Sequence, residues 1–240
     1  QNANDIAEAA TKFVAKTGDL GSARRFSSTF ATTASATGAS VQDIASAAAE
    51  LSKKFGITSE SDMQAALASV TFGGKAGAFE IADAASKYAK LSSAGAAFGL
   101  DKGVGGVRTL QGLSQIAMDS TGDKDTAVTA TEAMMRQLIT QSKTIEKSGV
   151  SVFTDKSRTK TRNISDVLAE TIAATGGDKM KLQDIFGDEG KRAVNPLIDT
   201  FTSARNAATG TDAEKAAVGL AALRAQLDRT INAAGSWPEV

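Results

Sequence analysis

The stretch SVQDIASAAAELSKKFG, residues 40–56, carries the start, the body and the stop of one amphipathic helix. Ser40 and Asp43 form a capping-box pattern, and Gly56 is a typical helix terminator. Between them the apolar residues recur on one face, at Val41, Ile44, Ala45, Ala48, Leu51 and Phe55. Because the same pattern recurs along the chain, the sequence predicts an all-α fold, either a multi-helix bundle or a loose α-solenoid.

Composition supports this fold class and restricts the chemistry. The 240 residues include only two prolines, and aromatic residues make up 5%. The chain has no histidine and no cysteine, which excludes disulfides, thiolate metal sites and Ser-His-Asp catalysis. Basic and acidic residues balance at 27 each, which argues against broad binding to a nucleic-acid backbone. We find neither a signal peptide nor an apolar run long enough to span a membrane.

Helical periodicity predicts the other elements. Gly73-Gly74 should end one helix, residues 95–106 should form an irregular loop, and Asn195-Pro196 should restart a helix that is interrupted within 190–208. The predicted helices lie at 2–16, 20–36, 59–70, 77–94, 106–119, 123–147, 164–175, 178–186, 190–208 and from 211 onward. Asp178 should cap the helix that Gly187 ends, and Thr211 with Glu214 should form a capping box for the last helix.

Residues 149–164 are the predicted exception to helix. Val150-Ser151-Val152-Phe153 alternates in period two and precedes a polar, basic turn, which favours a small β-hairpin near residues 150–164. This hairpin is the expected seam between an N-terminal helical part, 1–148, and a part at 149–240 that adds further helices. One continuous domain is the alternative. Because the chain starts at Gln1, we expect a processed form or an excised part of a longer protein.

Five polar or glycine-rich groups are candidate sites. Two carboxylate pairs, Glu80 with Asp83 and Asp184 with Asp188, are best explained as solvated helix faces. The acidic residues around Gly122 have a spacing that loosely resembles a calcium loop, but capping by Asp123 explains them better.

The other two groups could contact anions. Residues 103–106, Gly-Val-Gly-Gly, could present backbone N–H groups to an anion, and Arg158, Lys160 and Arg162 form a modest basic face. Neither pattern is specific. The sequence therefore predicts no catalytic, cofactor-binding or metal-binding residues and no cofactor.

Glu60 is the basis of the one enzymatic alternative. Glu60-Ser61 with a downstream Gly-Ala-Phe-Glu-Ile faintly resembles lytic transglycosylases, which use a lone glutamate as general acid. Ser59 and Asp62 explain the same place as a helix start, and the later motifs of that family are not visible.

Residues 74–81 and 91–100 consist mainly of small residues with single large apolar anchors between them, which favours close helix packing. They also resemble the core region of bacteriophage tail tape measure proteins. Further motifs follow in the order expected of that family and cover residues 40 to 200. They are GKAGAF (74–79), AGAAFG (94–99), LSQIAMDSTG (113–122), IEK (145–147), GVSVF (149–153), AATGGD (173–178), LQDIFG (182–187), RAV (192–194) and PLI (196–198).

This resemblance implies a virion component inside the tail tube. Such proteins set tail length, template tube assembly, leave ahead of the genome, and assemble as parallel copies, often three. It implies contacts with tail tube, tail tip or baseplate proteins and no catalytic site in this region. Because the helices here break every one to two dozen residues, we expect a folded module rather than the ruling rod. A prophage-derived helical interaction module is the remaining alternative.

Overall fold

The computed structural model describes residues 2–75 and 81–234, with no description of the side chains of residues 72–86. In this part the chain forms eleven α-helices and no strand, which confirms the all-α prediction. They are α1 (Ala3–Thr17), α2 (Leu20–Thr37), α3 (Val41–Phe55), α4 (Glu60–Lys75), α5 (Ile81–Phe98), α6 (Val104–Thr121), α7 (Lys124–Thr140), α8 (Ser142–Lys147), α9 (Ile164–Ala174), α10 (Lys179–Ala207) and α11 (Asp212–Ala233).

The helices group into two compact units. Among the described residues, the first unit comprises those within 2–96, 101–112 and 232–234, and the second comprises those within 97–100 and 113–231. The boundary therefore falls inside α6. The domain division expected at residue 149 stays a prediction.

The first unit begins with two helical hairpins packed side by side. Lys16 of α1 pairs with Glu50 of α3 at 3.3 Å, and Gln42 donates to Glu8 at 3.1 Å. Both pairs are 34 residues apart, so α1 and α3 run parallel. Short connections make α1–α2 and α3–α4 the two hairpins, and stacked hairpins are the building principle of an α-solenoid.

Aromatic packing holds the first hairpin closed. Phe13 of α1 meets two rings of α2, with centroid distances of 5.8 Å to Phe26 and 5.7 Å to Phe30. All three side chains are fully buried. Alanine fills much of the surrounding core, which lets the helices approach closely.

The helix caps agree with the sequence. The Ser40 hydroxyl accepts the backbone N–H of Asp43 at 3.1 Å, and Gly56 ends α3 with a left-handed φ of 69°. Thr211 and Glu214 form the predicted capping box of α11, since each side chain accepts a backbone N–H of the other residue.

Two predicted boundaries in the first half are wrong. Helix α4 continues through Gly73 and Gly74 to Lys75, since glycine in a last helical turn costs only about 1 kcal/mol relative to alanine. The predicted loop at 95–106 shrinks to residues 99–103, because α5 extends to Phe98, whose side chain is buried. The predicted start of α5 at 77 lies outside the described residues.

Two further predictions fail in the second half. The long helix expected at 123–147 is divided at Gln141, whose φ of −96° and ψ of 12° leave the helical region. Conversely, the backbone stays helical at Pro196, and the break in α10 falls at Gly187 (φ 63°, ψ −178°). Only glycine adopts that conformation readily, so the predicted stop at Gly187 is confirmed.

The predicted hairpin is reduced to a single antiparallel bridge between Phe153 and Thr161. Two backbone hydrogen bonds flank it, from Thr154 to Lys160 and from Arg162 to Val152, both 2.9 Å long. Side chains rather than strand pairing hold this loop, as described below. Among the described residues, no helix combines the length and the apolar character that a membrane crossing needs.

Candidate functional site

Glu60 lies in the first turn of α4, and its carboxylate faces α2. It accepts hydrogen bonds from Ser28 Oγ at 2.8 Å and from Thr29 Oγ1 at 3.3 Å. As predicted, the Ser59 hydroxyl caps the helix start by accepting the Asp62 N–H at 3.1 Å. In this arrangement Glu60 joins two parallel helices of the stacked hairpins.

Two of the three glycines at 103–106, Gly103 and Gly106, contact the end of α3. The Gly103 N–H donates to the Phe55 carbonyl at 2.7 Å, so it is occupied by backbone. A Cβ on Gly106 would lie 1.9 Å from the Asp101 carbonyl oxygen and 2.9 Å from the Phe55 ring. This geometry explains these two glycines without an anion.

Asp123 is the N-cap of α7, as predicted. One carboxylate oxygen accepts the Thr126 N–H at 2.8 Å and the Thr126 hydroxyl at 2.6 Å. Among the described residues, no three acidic side chains come together as a metal site would require. The Asp184 and Asp188 side chains are exposed, whereas Glu80 and the side chain of Asp83 lie outside the described part of the structure.

The loop at residues 149–163 is organised by Asp155. Its carboxylate accepts hydrogen bonds from the backbone N–H groups of Thr159 and Lys160 and from the hydroxyls of Ser157 and Thr159. These donors, with Ser157 the strongest, hold the pKa of Asp155 well below its ordinary value. An exposed carboxylate thus replaces the strand pairing that the sequence predicted.

The predicted basic face is largely paired with acids. The guanidinium of Arg158 contacts Glu146 and lies 5.7 Å from the centre of the Phe153 ring. Arg162 binds Glu170 of α9 through two hydrogen bonds of 2.8 and 2.9 Å. Two of the three cations of the basic face, Arg158 and Arg162, therefore connect the loop to neighbouring helices through ion pairs.

Arg162 and Glu170 belong to a four-residue group, which we call the ion cluster (Arg162, Asp166, Glu170 and Arg224). Arg224 of α11 reaches Glu170 at 3.4 Å and Asp166 at 3.8 Å. The hydrogen bonds from Arg162 lower the pKa of Glu170, although burial opposes the shift. The cluster connects the loop, α9 and α11. No local pattern could have revealed it, because Glu170 and Arg224 are 54 residues apart.

Replacing Glu170 with glutamine should lower the free energy of unfolding by about 1 kcal/mol at pH 7, the upper range for partly exposed ion pairs. A carboxylate with a lowered pKa stabilises the fold above its unfolded pKa, and this contribution disappears as the pH falls through the folded pKa. Urea unfolding of both proteins at pH 7 and pH 3 should therefore show a smaller difference at pH 3 than at pH 7.

Asp199→Asn is the matched control, because its partner Lys179 is 3.9 Å away and both side chains are mostly exposed. We expect no measurable change for this variant. Equal effects of the two substitutions at pH 7 would contradict a stabilising role for the ion cluster.

The second unit also contains a surface cleft of about 590 Å³. Lys179 and Lys191 line it together with Asp119 and Asp199. Because the charges of both signs are present in equal number, the cleft has no net charge with which to select an ion.

Glu60, Asp123, Arg158 and Arg162 thus have structural roles, in a helix cap and in contacts with neighbouring helices, and the fold places the chain in the class of all-α proteins. The family model of the phage-related minor tail proteins matches residues 1–187. The chain belongs to this family and is a structural component of a phage tail. No curated protein and no solved structure matches it.

Proposed function

We propose that this chain is a folded segment of a tail tape measure protein. In this role it lies inside the phage tail and contributes to tail length determination, to assembly of the tail tube and tip, and to genome ejection. Two observations support the proposal: the match to the minor tail protein family and the ordered motifs between residues 40 and 200.

The observation that supports a folded module, rather than a rod, is that all the described helices are short. A continuous helix of 240 residues would reach roughly 360 Å at 1.5 Å per residue. The longest described helix without a break, α11, has 22 residues, and the longer α10 is broken at Gly187. A chain divided into successive short helices that fold back on one another, as α1–α4 do, spans far less length per residue than a ruler needs. The segment therefore anchors, nucleates or contacts the tail tip or tube.

The proposed partners are other copies of the chain, arranged in parallel as a trimer, and tail tube, tail tip or baseplate proteins. The balance of 27 basic and 27 acidic residues suits protein contacts better than specific nucleic-acid binding. Pairing of Arg158 and Arg162 with acids points in the same direction.

We propose a non-enzymatic role for Glu60. Its hydrogen bonds to Ser28 and Thr29 make it a connector between α2 and α4. A cell-wall zymogram of the protein and of Glu60→Gln should therefore show no clearing in either lane. Clearing by the protein that is lost in Glu60→Gln would establish a muralytic enzyme instead.

Location and copy number in purified virions test the main proposal. Isotope-dilution mass spectrometry should find the chain in intact tails in a small fixed ratio to the tube protein. The chain should resist protease in intact tails and be lost from them after ejection. Absence from virions, or complete digestion in intact tails, would overturn the proposal.

A further inference from the structure

Helix α11 is fastened to the second unit by few buried residues. Among its 22 residues, the buried ones are Gly219, Leu223 and Leu227. In α3, by contrast, nine of 15 residues are buried. Because apolar burial is the main source of stability, α11 has a much weaker hold on its neighbours than α3 has.

Helix α11 packs closely against α10 at Gly219, where the absence of a side chain leaves room for Phe201. A Cβ on Gly219 would lie 2.9 Å from both the ring and the carbonyl oxygen of Phe201 in α10. Helix α11 therefore approaches α10 closely at a glycine, which itself buries no side chain. Any side chain at this position would push the two helices apart.

The polar contacts of α11 add little. Arg224 reaches the ion cluster, but its side chain is 47% exposed, and solvent screens such pairs. The side-chain oxygen of Gln226 is buried without a hydrogen-bond partner among the described residues, which opposes docking of the helix.

From these contacts we propose that α11 is a strap that detaches from α9 and α10 as a unit, while the rest of the second unit stays folded. Residues 208–211 connect α11 to α10, so α11 can separate from α10 without a change in the α10 helix itself. Detachment uncovers the face of Phe201 that Gly219 covers. Local opening of a weakly held element below the global unfolding threshold is a known property of folded chains.

Hydrogen–deuterium exchange of the full chain tests the strap. Amides of α11 should exchange at least about tenfold faster than those of α7 and α10, because they open without global unfolding. Gly219→Ala should accelerate exchange in α11 further and leave α7 unchanged. Val218→Ala, at the neighbouring position where the side chain is 47% exposed, is the control and should match the parent.

Either of two results would overturn the proposal that α11 detaches on its own. Exchange of α11 at the rate of α7 and α10 in the unmodified chain would overturn the proposal, whether or not Gly219→Ala folds. So would a Gly219→Ala protein that folds and exchanges in α11 like Val218→Ala.

Discussion

Gly106→Ala should destabilise the first unit by about 3 kcal/mol or more, one of the largest effects available in this chain. The new Cβ would lie 1.9 Å from the Asp101 carbonyl oxygen, which is backbone and cannot rotate away. It would also come within 2.9 Å of the Phe55 ring, whose side chain is buried. Relief requires the start of α6 to move away from the end of α3.

Gly105→Ala is the matched control for this substitution. It makes the same chemical change one residue earlier in α6, where a Cβ would meet nothing within 4 Å. We expect it to be neutral or to stabilise by about 0.5–1 kcal/mol, because alanine loses less backbone entropy than glycine on folding. Denaturant unfolding followed by circular dichroism measures both. Similar unfolding midpoints for the two variants would contradict the close approach of α6 to α3.

Phe201→Ala should cost the second unit about 3–5 kcal/mol, the usual price of emptying a buried phenylalanine site. The ring is fully buried in α10. A Cβ atom on Gly177 would lie 3.0 Å from the ring, and a Cβ atom on Gly219 would lie 2.9 Å from it. Both glycines contact the ring with backbone alone, so neither offers a side chain that could fill the cavity.

Met180→Ala, in the same helix, controls for this prediction, since its side chain is 71% exposed. Surface substitutions of this kind usually change stability by less than about 0.5 kcal/mol. Thermal and urea unfolding should separate the two variants clearly. A Phe201→Ala protein as stable as Met180→Ala would show that Phe201 is not a core residue.

The sequence predicted the helices where local signals are strong. Ser40, Asp123, Asp178 and Thr211 cap helices as expected, because a capping side chain acts on backbone groups within three residues. The helix end at Gly187 could also be predicted, because this glycine adopts a backbone conformation that other residues rarely adopt.

Predictions failed where distant packing decides the outcome. Helix α10 tolerates Pro196 and α4 continues through its two glycines, although both residue types weaken a helix locally. The break at Gln141 has no glycine or proline to mark it. Likewise, the loop at 149–163 is held by Asp155 and by arginine pairs, which strand propensity does not report.

Tail formation in phage carrying the two α6 variants tests the central claim most directly. Both substitutions keep the number of residues, and alanine is the better helix former, so a simple ruler would tolerate either. A folded module requires Gly106 but not Gly105. We therefore predict that electron microscopy of Gly106→Ala particles shows few tails or scattered tail lengths, while Gly105→Ala particles match the parent. Normal tails in normal number with Gly106→Ala would contradict the account.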